Sequence, residues 1–326
     1  MPTISCDGHN IPVQEQEYLL NALERAGIAI PNSCRAGLCH CCLVELKNGN
    51  VSRNAQLGLT ENQKRLNYVL SCLCRPENDL EIGLLDNNQR HPATLIEKHF
   101  INHGVMIARF KANIDWLPGQ YLTLWRNETV GRVYSIASLP EEGYVELHLR
   151  RRLSGVVSSW LEHRVSEGDV VHLSQATGHC YYTPMLPTQP IVIACTGTGL
   201  APALGVLKNA LANRHRGDIT LYAAAGEPQQ LYHLEELLEL AARHRNFQFY
   251  PVVRRRPNAT PALIHGDLID VVKSRHRRMA RHQIFLFGRP EMIETLQEIC
   301  YLQGANLQYI FADAFDSKGS GLELGQ

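Results

Sequence analysis

The spacing of hydrophobic positions changes twice along the chain and divides it into three stretches. In the first stretch, short alternating segments surround one run with helical spacing, at 18–26, which ends at Gly27. In the second, turn residues separate many short strand-like segments and one short helix, at 156–163. In the third, apolar strands alternate with amphipathic helices. The pattern predicts an α+β stretch, an antiparallel β-barrel and a parallel α/β sheet, in that order.

Individual elements follow from the same spacing. In the first stretch, strands are predicted at 3–6, 43–46 and 79–82, with a hairpin at 48–51 and a polar linker at 86–92. The strands predicted in the second stretch are 93–97, 105–110, 121–125, 132–137, 145–150 and 170–173. In the third, predicted strands at 191–194, 219–223, 247–253 and 284–287 alternate with helices at 201–214, 231–244, 268–273 and 291–303. The predicted domains are 1–88, 89–187 and 188–326.

Composition narrows the function classes. The chain has 32 basic and 32 acidic residues, so it is not a polycation and we expect no nucleic-acid partner. It has no run of about eighteen apolar residues and no signal-peptide pattern at Met1, so we expect a cytoplasmic protein without membrane insertion. Seven of the 10 cysteines lie in the first 74 residues. In a reducing compartment such crowding favours a metal centre over disulfides.

The cysteine spacing is specific. Cys34, Cys39, Cys42 and the more distant Cys72 follow the C-x4-C-x2-C…C pattern of plant-type 2Fe-2S ferredoxins. One tight loop, with Gly37 for backbone freedom, supplies three thiolates to such a cluster, and a distant turn supplies the fourth. Structural zinc, which usually takes C-x2-C pairs, and a set of inert buried thiols are the alternatives. The other cysteines are expected to be small core residues: Cys6, Cys41, Cys74, Cys180, Cys195 and Cys300.

Two further segments carry chemistry. Thr196 to Pro202 follows a buried strand and opens a helix, where glycines let the backbone approach a dinucleotide and the helix dipole faces its pyrophosphate. The segment lacks the G-x-G-x-x-G pattern of the common Rossmann fingerprint. Arg132, Tyr134 and Ser135 form an R-x-Y-S motif in a predicted barrel strand. This motif alone is weak, because any barrel strand could carry it.

At these residues the chain resembles a known superfamily. Residues 1–88 resemble a plant-type ferredoxin domain, which implies a β-grasp fold. The R-x-Y-S motif, followed by G-x-x-S at Gly155 to Ser158, resembles the antiparallel FAD-binding barrel of the ferredoxin-NADP reductase superfamily. The third stretch resembles that superfamily's parallel-sheet NAD(P)-binding domain, with a second nucleotide loop at Gly288-Arg289-Pro290. This domain order is that of the reductase components of bacterial multicomponent oxygenases.

The resemblance implies roles for single residues. Arg132 would clamp the flavin pyrophosphate, Tyr134 would stack on the isoalloxazine, and Ser135 would reach its N5 edge. Ser135 and Thr196 are the implied catalytic residues. The residues implied to bind FAD or the nucleotide are Arg132, Tyr134, Ser135, Leu149, Arg150, Gly155, Val157, Ser158, Thr196, Gly197, Thr198, Gly199, Arg254, Gly288, Arg289 and Pro290. A capped surface helix is the alternative for the G-x-x-S segment.

The chain departs from the family pattern at three positions. His40 directly follows the second cluster ligand, where the family usually has Gly. Val156 replaces a usual Lys or Arg, so we expect Arg150, Arg151 or Arg152 to supply the positive charge instead. Phe287 stands where many members have a Cys near the nicotinamide.

The resemblance implies an NAD(P)H-dependent reductase. It passes hydride to FAD and then single electrons through the 2Fe-2S cluster to an acceptor protein, an oxygenase or a separate ferredoxin. Flavin suits this relay because it exchanges electrons in pairs or singly. An electron donor to a sugar-deoxygenating dehydrase is one alternative, and a non-enzymatic redox sensor is another.

NADH is the expected reductant, with NADPH tolerated. Reductases of oxygenases mostly use NADH, but Arg254, Arg255 and Arg256 could pair with a 2′-phosphate, and no acidic residue lies in 251–257. A solvated loop is the alternative interpretation of these three arginines.

Overall fold

The computed structural model describes residues 1–28, 30, 32, 35, 37, 42–57, 59, 61–85, 90–127, 130–152, 155–184, 187–255 and 263–315. The chain forms two compact units. One comprises Met1–Pro92, Thr123–Val133 and Val171–Gln175, and the other comprises Ala93–Leu122, Tyr134–Val170 and Ala176–Gln326. In the described part of the chain, no helix has the length and apolar character needed to span a bilayer.

The N-terminal stretch is a five-stranded mixed sheet with one helix packed on it. Its elements are β1 (Thr3–Cys6), β2 (His9–Pro12), α1 (Leu19–Arg25), β3 (Leu43–Asn48), α2 (Glu61–Arg65), β4 (Tyr68–Leu70) and β5 (Leu80–Leu84). The strand order is β2-β1-β5-β3-β4, with β1 and β5 parallel. Ile4 and Cys6 alternate into the core, where α1 buries Leu19 and Leu23. This is the predicted α+β stretch.

The predicted hairpin at 48–51 is wrong. After β3 the chain does not return directly: β3 pairs antiparallel with β4, which begins at Tyr68, and with β5. A 3-10 turn at Arg53–Gln56 and α2 lie between β3 and β4. Part of the predicted linker at 86–92, residues 86–89, is not among the described residues. His91 and Pro92 belong to the next strand and not to a linker.

The middle stretch is a six-stranded antiparallel sheet. Its elements are β6 (His91–Asn102), β7 (Val105–Ala112), β8 (Tyr121–Trp125), β9 (Gly131–Ser135), β10 (Val145–Arg150), α3 (Ser158–Arg164) and β11 (Val170–Leu173). The strand order is β10-β7-β6-β11-β8-β9. Directly after β9, Ile136 forms an isolated antiparallel bridge with Leu147 of β10, so the sheet closes on itself. The structure thus confirms the predicted barrel.

The C-terminal stretch is a parallel sheet with helices on both faces. Its elements are β12 (Ile191–Thr196), α4 (Leu200–Ala212), β13 (Ile219–Ala225), α5 (Leu234–Arg243), β14 (Phe247–Val253), β15 (Ile264–His265), α6 (Leu268–Arg275), β16 (Gln283–Gly288), α7 (Pro290–Leu302) and β17 (Ile310–Ala314). The strand order is β15-β14-β13-β12-β16-β17, and every pair is parallel. The sheet is the one predicted, although β15 and β17 were missed.

Two hydrophobic cores cover the two faces of this sheet. Along β12, Ile191 and Ile193 point into the core beneath α4 and α5, while Val192 and Ala194 point into the core beneath α6 and α7. The chain leaves β12 toward β13 on one side and later returns to β16 on the other. The carboxyl ends of β12 and β16 therefore form the topological switch point, where open α/β sheets bind their ligands.

Candidate functional site

Two of the four predicted cluster ligands lie in the described residues and are brought together. Cys42 directly precedes β3 and Cys72 lies two residues after the end of β4, so the antiparallel β3–β4 pair brings them together. Both thiols are buried. The Ser71 hydroxyl donates a hydrogen bond of 2.8 Å to the Cys42 carbonyl, which fixes the turn that carries Cys72. Cys34 and Cys39 lie outside the described residues.

The chemistry of this pair fits an iron–sulfur cluster. Contact with Cys72 and burial raise the pKa of the Cys42 thiol well above its usual value. Two adjacent buried thiolates are stable only with a cation to neutralise them, which the irons of a cluster supply. Among the residues that the structure describes, no three His, Cys, Asp or Glu side chains are placed to hold a metal ion. The assignment of Cys34 and Cys39 as the remaining ligands stays a prediction from the sequence.

Arg35, which lies between Cys34 and Cys39 in the sequence, is bound to helix α1. Its guanidinium donates to both carboxylate oxygens of Glu24, each at 2.7 Å, and to the side-chain oxygen of Asn21 at 3.0 Å. The cysteines outside the spacing are buried core residues, as predicted, at Cys6, Cys74, Cys180, Cys195 and Cys300. The prediction for Cys41 lies outside the described residues.

The R-x-Y-S motif occupies β9, whose two end residues are buried and whose middle residues are exposed or half-buried. Arg132 is exposed, Tyr134 is half-buried, and Ser135 is buried at 5% exposure. The Ser135 hydroxyl has no hydrogen-bond partner. A buried hydroxyl without a partner is costly, so this one fits a polar group of a bound ligand such as the flavin N5 edge.

The G-x-x-S segment leads into α3. A β-carbon at Gly155 would displace the Ser158 hydroxyl, so glycine leaves room for this side chain at the start of the turn. At the other end of α3, the Lys98 ammonium donates to the carbonyls of Leu161, Glu162 and Val165. Lys98 therefore caps the last turn and fixes the helix on β6.

Of the three arginines expected to replace the missing charge at Val156, Arg151 is already engaged. Its guanidinium donates to both carboxylate oxygens of Glu162, at 2.6 and 3.2 Å, and lies over the Phe100 ring. Arg150 and Arg152 instead line the large cavity described below. Leu149 is fully buried inside the barrel.

The predicted nucleotide loops meet at the switch point. A 3-10 turn at Gly197–Gly199 joins β12 to α4, and Gly197 has a left-handed backbone at φ +56°. A β-carbon at Gly199 would lie 2.6 Å from the Phe287 carbonyl oxygen, and one at Gly288 would collide with the Thr196 hydroxyl. The two glycines therefore let the loops after β12 and β16 touch.

A cavity of about 690 Å³ opens at this edge of the sheet. It is within the usual size range of ligand pockets. Of the predicted binding residues, it is lined by Arg150, Thr196, Gly197, Thr198, Arg254, Gly288 and Arg289. Among the described residues that line it are four arginines, with Arg152 as the fourth, but one carboxylate, Asp267. This charge balance suits the phosphates of a dinucleotide.

Some residues of this cavity were missed from the sequence. They are the turn Asn102–Gly104 between β6 and β7, Asp267 before α6, and Phe315 after β17. The sequence carries one signal for this turn, because Asn is common in turns. In the structure the Asn102 side-chain oxygen accepts hydrogen bonds from the backbone N–H groups of Gly104 and Val105. Phe287 is not among the lining residues. It is fully buried in the core with Cys195 and Leu200, so its ring does not line this cavity.

Comparison with known proteins agrees with this architecture. Residues 3–77 match the family described as the 2Fe-2S iron-sulfur cluster binding domain, residues 92–182 the oxidoreductase FAD-binding domain, and residues 193–298 the oxidoreductase NAD-binding domain. The ferredoxin–NAD(P)(+) reductase component of the naphthalene 1,2-dioxygenase system of Pseudomonas putida is 30% identical over 94% of this chain and 95% of its own. The chain belongs to this reductase family.

Other relatives are also similar to this chain over most of its length. The phenol hydroxylase P5 protein of Acinetobacter pittii is 26% identical over 90% of this chain and 88% of its own. The crystal structure of the Amycolatopsis cytochrome P450 reductase GcoB superposes with a TM-score of 0.69 at 26% identity, over 97% of this chain and 99% of that one. The ferredoxin reductase of carbazole 1,9a-dioxygenase, at 20% identity and a TM-score of 0.66 over 97% of this chain and 98% of its own, shares the fold. The protein is thus an NAD(P)H-dependent oxidoreductase with 2Fe-2S, FAD and NAD(P) domains.

Proposed function

We propose that this reductase serves an oxygenase system, taking hydride from NADH and delivering single electrons to a partner protein, an oxygenase or a separate ferredoxin. The cavity at the switch point carries the proposal, because its four arginines and glycine loops suit a dinucleotide reductant. A redox sensor without a hydride donor would not need this cavity. The oxygenase partner is inferred from relatives such as the naphthalene dioxygenase reductase component.

In this scheme each predicted domain binds one of the three groups. We assign the cluster to residues 1–88, FAD to 89–187 and the nucleotide to 188–326. Arg132 would pair with the flavin pyrophosphate, Tyr134 would pack on the ring system, and the buried Ser135 hydroxyl would donate to the ring edge. Thr196, Gly197 and Thr198 would hold the pyrophosphate and the adjoining nicotinamide half of the nucleotide, beside Gly288 and Arg289.

The cofactors supply the electron chemistry. Bound FAD accepts two electrons as hydride and releases them one at a time, which matches a 2Fe-2S cluster. The protein excludes water around the buried Ser135 and holds the soft thiolate ligands Cys34, Cys39, Cys42 and Cys72. We propose a cytoplasmic location, because NAD(P)H is the reductant and the crowding of seven cysteines in the first 74 residues suits a reducing compartment.

The change Cys72→Ser tests the relay. The variant is expected to lose the visible absorbance of the cluster and the reduction of cytochrome c, while NADH-dependent reduction of ferricyanide from the flavin survives. Iron content, absorbance and both activities measure this.

Cys74→Ser is the matched control. Cys74 is also fully buried and lies two residues further along, but it does not fit the ligand spacing. This variant should keep the iron and both activities. Unchanged iron in Cys72→Ser would contradict the ligand assignment, and no nucleotide-dependent reduction of either acceptor by the native holoprotein would contradict the proposed function.

A further inference from the structure

An acidic residue faces the arginine expected to recognise a nucleotide phosphate. Arg254 follows β14 and lines the cavity, and its Nη2 and Nε atoms donate to one oxygen, Oδ2 of Asp267, at 2.7 and 3.1 Å. Asp267 lines the same cavity, thirteen residues further along the chain. The sequence window at 251–257 lacks an acidic residue, but the fold supplies one from outside it.

Asp267 is held in this position by the backbone. Its other oxygen, Oδ1, accepts a hydrogen bond of 2.9 Å from the backbone N–H of Ile269 and caps α6. The preceding residue, Gly266, donates its N–H to the Val253 carbonyl at 3.1 Å, which ties this turn to the end of β14. The two carboxylate oxygens therefore have separate partners, and the pair is positioned by a helix cap on one side and a strand end on the other.

The next arginine is paired as well, but outside the cavity. Arg255 donates to Glu227 at 2.6 Å, and neither residue is among those that line the cavity. The two described arginines after β14 thus each have a carboxylate partner, and one of the two pairs lies where a ligand would bind. Arg256 lies outside the described residues.

The position of the pair identifies the part of the ligand that it would meet. A dinucleotide at this edge places its pyrophosphate at the glycine turn after β12, and its adenosine extends over the following strands. The ends of β13 and β14, at Ala224 to Gly226 and at Arg254, line the same cavity. An acidic residue there accepts a hydrogen bond from the ribose 2′-hydroxyl, whereas an unpaired guanidinium attracts a 2′-phosphate.

We propose that Asp267 is a specificity-determining residue that makes this reductase prefer NADH. By pairing with Arg254 the carboxylate removes the net positive charge that would attract a 2′-phosphate to the ribose subsite. The inference rests on the reductase function proposed above and names the reductant of that site.

The change Asp267→Asn tests the proposal. The asparagine side-chain oxygen can still accept from the Ile269 N–H and cap α6, but it no longer neutralises Arg254. We expect binding of 2′,5′-ADP relative to ADP, measured by calorimetry on the holoprotein, to tighten at least tenfold. The ratio of kcat/KM for NADPH to that for NADH should rise by a similar factor. Adding Arg254→Ala to this variant should abolish the gain.

Two further variants make the result decisive. Glu227→Gln frees Arg255 outside the cavity and should leave both ratios unchanged. Arg254→Ala alone leaves the Asp267 charge unneutralised and should weaken 2′,5′-ADP binding further, which tests the same pair if Asp267→Asn does not fold. Unchanged ratios in Asp267→Asn, or a hundredfold native preference for NADPH that collapses in Arg254→Ala, would overturn the proposal. Because 2′,5′-ADP binding is read without turnover, failure of the electron relay would be seen separately.

Discussion

Two buried serines in the barrel stretch, Ser135 and Ser138, have opposite hydrogen-bonding states. Ser138 is fully buried and satisfied: its hydroxyl donates to the Tyr144 carbonyl at 2.8 Å and accepts from the Glu146 N–H at 3.0 Å. Ser135 is buried without a partner. A satisfied hydroxyl serves the fold, whereas an unsatisfied one is a cost that a bound ligand can offset.

This contrast makes Ser135→Ala a test of the flavin assignment. Removing a hydroxyl that has no partner should leave the free energy of unfolding of the apoprotein within about 0.5 kcal/mol. The rate of flavin reduction by NADH should fall at least tenfold, because the ring edge loses a donor. Stopped-flow absorbance of the holoprotein and urea unfolding of the apoprotein measure the two effects.

Ser138→Ala is the matched control and should behave in the opposite way. It leaves a buried carbonyl and N–H unpaired, so stability should drop by about 1–3 kcal/mol while the reduction rate stays close to native. A Ser135→Ala variant that loses stability but reduces normally would assign Ser135 to the fold.

At the residue scale, the sequence predicted groups whose chemistry is local. The cysteine spacing and the glycine turn after β12 could be recognised in the sequence, because each needs its residues close together in the chain. Asp267 and Phe315 were not, because they reach the cavity only through the pairing of distant strand ends. The burial of the Phe287 ring likewise depends on packing that no local pattern records.

At the scale of elements, the long periodic segments were predictable and the short ones were not. The strands β8, β10, β11 and β14 have their predicted bounds. The three-residue β4 and the two-residue β15 are too short to show a period, and β15 depends on the β14 backbone for its pairing. The predicted helix at 231–244 starts instead at Leu234, because a 3-10 turn at Pro228–Gln230 and the left-handed His233 precede it.

Helix α4 packs against the barrel stretch at a glycine. A β-carbon on Gly205 would lie 2.6 Å from the Gly119 nitrogen and 2.8 Å from the Ile136 carbonyl oxygen. Both are backbone atoms of the barrel stretch and cannot rotate away. Gly205→Ala should therefore lower the free energy of unfolding by about 1–3 kcal/mol, as expected for overpacking, despite the helix propensity of alanine.

Gly104→Ala is the comparison for that change. The nearest atom to its added β-carbon is the Asn102 side-chain oxygen at 3.7 Å, an ordinary contact. Urea unfolding should show little change in this variant. Equal stability of Gly205→Ala and the native protein would mean that α4 and the barrel stretch do not pack this closely.

At the scale of the whole molecule, the net charge is zero, yet charged and polar side chains form a buried network. On β10, Glu146 and His148 point away from the barrel core and are buried. His148 contacts Glu146 at 3.2 Å and the Tyr232 hydroxyl at 3.0 Å, and Arg109 donates to Glu146 at 2.7 Å. Burial raises the pKa of Glu146, but His148 and Arg109 outweigh it and lower the pKa to about 2. Glu146 thus adds stability above about pH 4.5, which is lost as the pH falls toward 2.

Buried histidines make stability sensitive to a different pH range. Burial, followed by the nearby charges of His282 and Arg275, lowers the pKa of His276 to about 4, and burial also lowers the pKa values of His148 and His215. Below about pH 6.5 the unfolded chain binds protons that the folded protein excludes, so stability falls as the pH decreases toward 4. Glu146 contributes to this loss only near the lower end of the range, because above about pH 5.5 its carboxylate is ionised in both the folded and the unfolded chain.

His276 allows this dependence to be tested. Its Nε2 contacts the Tyr222 hydroxyl at 2.9 Å, and its share of the loss between pH 7.5 and pH 5 should be about 1–2 kcal/mol. His276→Gln keeps a polar partner for Tyr222 but cannot be protonated, so the difference in unfolding free energy between the two pH values should shrink by that amount. Urea unfolding at both pH values measures it. A native protein as stable at pH 5 as at pH 7.5, or a His276→Gln variant with the native difference, would show that His276 is not held neutral by burial.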